Sequence, residues 1–180
     1  MIGAVVCVGG PPGSGKSTAS RLVAERFGLT YASAGDTFRA EARSHGLDLE
    51  AFGRYAEEHP EIDRALDLRM QALARPGYLL DGRIQGALCR RAGTRVHYVI
   101  VTAREEERVR RVAQRDGLAL EEAARRVRLR EASERARYHA FYGIEIDLER
   151  PDLLVDSTLS PATEVAGAIA RHIERREREP

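Results

Sequence analysis

Gly10-Pro11-Pro12-Gly13-Ser14-Gly15-Lys16-Ser17 is the stretch that decides the fold, and Lys16 is the one lysine among 29 Lys-plus-Arg positions. Every other cation of that group is arginine, so position 16 selects a compact ammonium over a planar guanidinium. The string fits G-x-x-x-x-G-K-[ST], a P-loop, in which glycine-rich backbone turns its N–H groups toward phosphates and the lysine reaches the β- and γ-phosphates. Its flanks supply the context such a loop needs. Ala4-Val5-Val6-Cys7-Val8 is a continuous apolar run that predicts a strand buried on both faces, and Thr18 to Phe27 repeats apolar residues at helical spacing. The start of that helix adds partial positive charge to the anion site, and the Ser17 hydroxyl is placed for Mg²⁺. The triphosphate-binding set is Gly10, Pro11, Pro12, Gly13, Ser14, Gly15, Lys16, Ser17 and Thr18.

Composition narrows the setting. At 180 residues and 43% hydrophobic content the chain suits one well-buried domain, 1–180. A net charge of +1 provides no global field for nucleic acid or a membrane surface, so anion binding must be local. No apolar run is long enough to span a membrane and the N-terminus enters a strand without a basic and apolar leader, so a cytoplasmic protein is expected. Cys7 and Cys89 are too scattered for a disulfide framework or a zinc site and are expected as free thiols. Asparagine is absent and arginine abundant, which fits either a GC-rich genome or life at high temperature. Arguments from arginine must therefore rest on position.

Beyond the first helix, Leu29 to Ser33 predicts a second strand, with Ala34-Gly35-Asp36 closing it and a helix from Thr37 to about Ser44. Helical segments follow over Leu49 to Glu58 and from Pro60 to about Arg75, the latter opened by its proline. Tyr78 to Asp81 and Val96 to Thr102 read as strands, and Thr102-Ala103-Arg104-Glu105 as a capping box for the next helix. A long charged helix is expected from about Leu120 to Tyr142, a fifth strand over Leu153 to Asp156, and a terminal helix capped and started by Ser160-Pro161, with Glu174 to Pro180 frayed. Short apolar strands alternating with helices predict an α/β fold, a five-stranded parallel sheet covered on both faces.

A P-loop alone leaves GTPase, motor ATPase and kinase open. A GTPase reads guanine with N-K-x-D, which a chain without asparagine and with one lysine cannot build. An AAA-type motor generally needs a longer module and an Asp-Glu pair ending a strand, where this chain has Leu80-Asp81-Gly82-Arg83. Phosphoryl transfer to a small acceptor remains.

At this point the chain resembles the nucleoside monophosphate kinases, most closely the archaeal-type cytidylate kinases. The resemblance covers nearly the whole chain and is carried by the P-loop string, Ser33-Ala34-Gly35-Asp36-Thr37-Phe38-Arg39, Tyr55-Ala56-Glu57-Glu58-His59-Pro60-Glu61-Ile62-Asp63, Asp81-Gly82-Arg83 and Arg130-Glu131-Ala132-Ser133-Glu134-Arg135-Ala136-Arg137-Tyr138. It implies ATP as donor, CMP or dCMP as acceptor, and Arg39 and Arg83 as the clasp on the acceptor phosphate, a role suited to guanidinium forks. It also implies that Asp36 and Asp81 hold waters on a Mg²⁺ ligated by Ser17; Asp36 could equally cap a helix.

At about 100° per residue Arg126, Arg130 and Arg137 fall within about 40° of one another, with Ser133 on the same stripe. In the family this region, 117–143, is a lid whose arginines close over the transferring phosphoryl; a solvated charged face is the plain alternative. Gly117 and Gly143 flank it as hinge candidates. Within the helical segment 37–75 Asp63 and Asp67 share one face and could accept from the exocyclic amine of the base, or could be ordinary helix surface beside Arg64 and Arg69. Ser33 and Gln85 are further candidates. His59, Glu145 and Ile84-Gln85-Gly86 depart from the family pattern and leave the base in doubt between cytosine and other acceptors such as AMP, UMP or a modified pyrimidine nucleotide. The expectation is a monomer acting on ATP and a nucleoside monophosphate, with no nucleic acid or membrane partner; an ATP-binding RNA or assembly factor on the same scaffold is the rival of another class.

Overall fold

The computed structural model describes residues 2–178. Five parallel strands, β1 (Val5–Gly9), β2 (Thr30–Ser33), β3 (Tyr78–Asp81), β4 (Val96–Thr102) and β5 (Leu153–Asp156), lie in the order β2-β3-β1-β4-β5. The helices are α1 (Lys16–Phe27), α2 (Ala34–Ser44), α3 (Leu49–Glu58), α4 (Pro60–Ala72), α5 (Gln85–Arg91), α6 (Glu105–Asp116), α7 (Leu120–Tyr142) and α8 (Ala162–Arg178). Among the described residues no helix is long and apolar enough to cross a membrane.

The central strand shows why the sheet is parallel and covered. Val6 and Val8 face one side, packing with Ala19 and Val23 of α1 and Ile169 and Ile173 of α8. Val5 and Cys7 face the other, against Leu66 and Met70 of α4 and Ile84 at the N-cap of α5. With both faces dry, a continuous apolar run rather than an alternating one is what the strand needs. The order in which strands are laid down switches sides at β1, whose neighbours are β3 and β4, so the crevice beyond its C-terminal end is the natural ligand position of such a sheet. The P-loop occupies that crevice.

Four boundaries differ from expectation. Helix α2 starts at Ala34, because the Ser33 hydroxyl caps it by accepting from the Asp36 N–H at 3.1 Å; Ala34-Gly35-Asp36 is the first helical turn, not a connecting loop. No capping box forms at Thr102, which ends β4; α6 begins at Glu105, and the Arg104 N–H is satisfied instead by the Thr158 hydroxyl at 2.9 Å. Helix α5 has too few residues to show a period, and it fits because Gly86 lies flat on the Tyr98 ring, where an added Cβ would stand 2.0 Å from a ring carbon. Residues 174–178 are helical rather than frayed, since Glu177 accepts from the Gly3 N–H at 3.0 Å and from His97 at 2.7 Å; the rest of that expected fraying falls on 179–180, outside the described residues.

Candidate active site

The P-loop is shaped by close backbone packing. Gly10 has φ +145° and a Cβ there would lie 2.1 Å from the Val101 carbonyl oxygen; Gly13 has φ +79° and its Cβ would lie 2.5 Å from that of Arg108. The Ser14 carbonyl accepts from the Ser157 hydroxyl at 2.7 Å, which ties the loop to the segment after β5. Arg111 of α6 reinforces the same joint, donating to Ser157 Oγ at 3.0 Å and to the Ser157 carbonyl at 2.7 Å. Lys16 opens α1 and is half-buried. Desolvation of its ammonium, joined by the neighbouring Arg130 and Arg83 and opposed by Asp81, lowers its pKa to about 8.

Asp81 ends β3 in register with Val8 of β1 and Ser33 of β2, so three strand ends deliver their residues to one edge. It is 1% exposed and accepts from the Tyr31 hydroxyl at 2.6 Å. Burial, with the Asp81 charge beside it, pushes that phenol up to about 12.

Next to this edge lies a charge cluster centred on Glu134 of α7, which is 4% exposed. One carboxylate oxygen is 2.6 Å from Arg83 Nε and the other 2.7 Å from Arg130 Nε. Burial alone would raise the Glu134 pKa, but Arg130 and Arg83 outweigh it and hold it at about 2. Arg83 comes from the loop before α5 and Arg130 from the long charged helix, so one acid joins the expected acceptor clasp to the expected lid. Arg137, one face-turn further along α7, donates to both oxygens of the buried Asp63 at 2.8 and 2.6 Å and sits 5.2 Å over the Phe38 ring.

A cleft of about 1250 Å³ connects these groups, with the P-loop on one wall and residues from α2, α3 and α7 on the others. Lys16, Arg83, Arg130 and Arg137 all line it. So does Ser133, whose buried Oγ has no partner, as does the Nε of Arg137; these polar atoms remain open to a ligand.

The other expected residues on the cleft wall, Ser33, Asp36, Arg39, Asp63 and Arg126, are engaged by partners within the protein. Arg39 lines the cleft but is spent on Asp36 at 2.6 Å, and Asp36 also takes Arg21 at 3.0 Å. With an arginine on each oxygen, Asp36 does not suit the metal shell, and Ser33 is committed to the α2 cap. Asp63 and Asp67 are not helix surface: both are buried, the first tied to Arg137 and the second accepting from Gln85 at 2.9 Å, so the base-reading role expected of their carboxylates is taken up by internal contacts. Arg126 lines the cleft as well, and its guanidinium is held in an exposed pair with Glu122 at 2.6 Å. Gly117 and Gly143 are left-handed C-caps of α6 and α7, a requirement that accounts for their identity without a hinge. For a divalent ion bound with the triphosphate, Ser17 and Asp81 are the fitting hard-oxygen donors.

Glu134, Arg108 and Arg111 were not singled out by sequence. The Arg130–Glu134 and Glu107–Arg111 pairs, each four residues apart, are local signals; the partners that join these residues to Arg83, the P-loop and Ser157 lie far away along the chain.

An AAA-domain family model matches residues 9–124. The chain is 38% identical over 172 residues to a cytidylate kinase of Archaeoglobus fulgidus, covering 94% of each chain, and 39% identical to one of Methanopyrus kandleri, covering 87% of this chain and 86% of that one. Among solved structures, shikimate kinase from Acinetobacter baumannii in complex with shikimate superposes with a TM-score of 0.61 at 19% identity, over 96% of this chain and 94% of the other, a likeness of fold. P-loop, strand-end aspartate and arginine-lined cleft thus occur in a sequence that matches these relatives almost end to end: the chain belongs to the archaeal-type cytidylate kinases.

Proposed function

We propose that this protein transfers the γ-phosphoryl group of Mg·ATP to CMP or dCMP, giving ADP and the cytidine diphosphate. The observation that carries this reading is the meeting of Lys16, Arg83 and Arg130 beside Glu134 in one cleft, in a chain of this family. A dianionic acceptor and a triphosphate brought together need concentrated positive charge, and positioning with electrostatic stabilisation is most of what phosphoryl transfer asks of a protein.

In this account the P-loop N–H groups and Lys16 hold the donor phosphates. Arg83 orients the acceptor phosphate, with Arg39 available once it leaves Asp36. Arg130 and Arg137 neutralise charge spreading over the transferring oxygens, and Ser133 with Arg137 faces the acceptor. Ser17 and Asp81 would hold a divalent ion bound with the triphosphate, which would supply further neutralisation of the donor's charge. No protein nucleophile is required. Residues 37–75 form the acceptor-binding segment and 117–143 the lid of a single kinase domain, whose closure excludes water that would otherwise take the phosphoryl group. The unit acts as a monomer in the cytoplasm, without nucleic acid or membrane; elution at twice its 20.0 kDa mass would count against the monomer.

The test is ADP release from Mg·ATP with CMP, dCMP, UMP, AMP or GMP as acceptor. Stimulation by CMP and dCMP above the others is expected. Stimulation by another monophosphate reassigns the base, and none at all returns the binding-factor reading.

A further inference from the structure

Arg108 is a buried arginine that the chemistry above leaves unused. It lies in α6, 7% exposed, and its guanidinium reaches three parts of the chain. Nε donates to the Ala103 carbonyl at 3.1 Å, Nη1 donates to the Pro12 carbonyl at 3.3 Å, and Nη1 also pairs with Glu131 of α7. Its backbone forms the wall against which Gly13 packs. The P-loop therefore leans on this one residue twice, through a carbonyl and through a glycine with no room for a Cβ. A branched, planar donor can serve acceptors in different directions at once, which an ammonium on a flexible stem does less well.

Glu131 stands three residues before Glu134 on the same helix, and the two acids engage different arginines. Glu134 grips Arg83 on the acceptor side, whereas Glu131 grips Arg108 and, through it, the P-loop. We propose that Arg108 is a positioning residue for ATP, transmitting the placement of helix α7 to the P-loop through Glu131. The proposal rests on the P-loop being the ATP site and α7 the lid helix. Its consequence is that ATP affinity depends on a carboxylate of α7 that touches no phosphate: movement of α7 changes the Glu131–Arg108 contact, and with it the hold on the Pro12 carbonyl.

The experiment compares Glu131→Gln, Arg108→Met, Arg108→Lys and the Glu131→Gln/Arg108→Met pair with the parent protein. ATP binding with Mg²⁺ is measured by calorimetry in the absence of acceptor, alongside KM for CMP and thermal unfolding. Glu131→Gln is expected to weaken ATP by about fivefold or more while leaving KM for CMP within about twofold, the size of a typical coupling between sites. The double variant is expected to bind ATP no more weakly than Arg108→Met, and lysine at 108 is expected not to restore affinity. Unchanged ATP affinity in Glu131→Gln, losses that multiply in the double variant, or equal weakening toward ATP and CMP would overturn the proposal. Should Arg108→Met fail to fold, the Glu131→Gln comparison alone decides. Because ATP binding is read without acceptor, absence of CMP turnover would refute the assigned reaction and leave this test standing.

Discussion

Around Gly10 to Ser17 the cleft is shaped by backbone, whereas from Asp63 to Arg137 it is shaped by charged side chains paired with one another. The donor half is set by glycine conformations and by carbonyls packed to within a Cβ radius of them, so its N–H groups are aimed before any ligand arrives. The acceptor half is neutralised from within: Glu134 holds Arg83 and Arg130, Asp63 holds Arg137, and Asp36 holds Arg39. An incoming monophosphate must take these arginines from carboxylates that already satisfy them, while ATP meets little such competition. The lesson is that donor binding needs small adjustment and acceptor binding needs exchange of partners, so mutations in the two halves should act on different kinetic constants.

The largest effect should come from the donor half. Lys16→Met is expected to lower kcat by on the order of 10³-fold, as loss of a preorganised transition-state charge does, in a coupled ADP assay. Retention of most activity would remove the lysine from the chemistry. Second, Glu134→Gln leaves two arginines without their buried partner and should destabilise the protein by about 3 kcal/mol in denaturant unfolding. It should also raise KM for CMP more than KM for ATP; equal changes would erase the distinction between the halves. Since the Glu134 pKa is held below its usual 4.5, at about 2, its contribution is complete above pH 4.5 and is lost as pH falls from there toward 2. Melting curves across that window would show the loss as absent from Glu134→Gln.

Third, Asp63→Asn frees Arg137 and should change KM for CMP by about tenfold, equivalent to ~1.4 kcal/mol, with ATP affinity nearly constant. Fourth, the lowered Lys16 pKa gives the donor half a pH signature. Phosphates raise that pKa on binding, so ATP affinity is full below the free-state value of about 8 and weakens as pH rises through it. Calorimetry from pH 7 to 9.5 should show proton uptake on binding only at the alkaline end; a flat profile would mean that the ammonium is not desolvated. The smallest effect is expected for Arg126→Ala, whose exposed pair with Glu122 predicts activity within about twofold of the parent.

This contrast also explains what could be read without coordinates. The P-loop was legible because its function is encoded in adjacent residues: Gly10, Gly13, Gly15, Lys16 and Ser17 are a contiguous string, and the strand and helix beside it carry clear periods. The parallel sheet followed from five apolar runs at nearly their observed limits. The acceptor half was only partly legible. Arg83, Arg130 and Arg137 could be nominated by position, but their carboxylate partners could not, because contacts such as Arg137–Asp63 join residues 74 apart in sequence. Asp36 and Arg126 were misread for the opposite reason, a local one: each pairs with an opposite charge three or four residues away on its own helix, Asp36 with Arg39 and Arg126 with Glu122. Helix α5 was invisible because seven residues around a glycine carry no period.

The most direct test of the account is to follow the phosphoryl group itself, incubating the protein with ATP labelled at the γ-phosphate, Mg²⁺ and CMP. The account predicts label in the β-phosphate of CDP in proportion to ADP formed; label appearing instead as inorganic phosphate, independent of CMP, would contradict it.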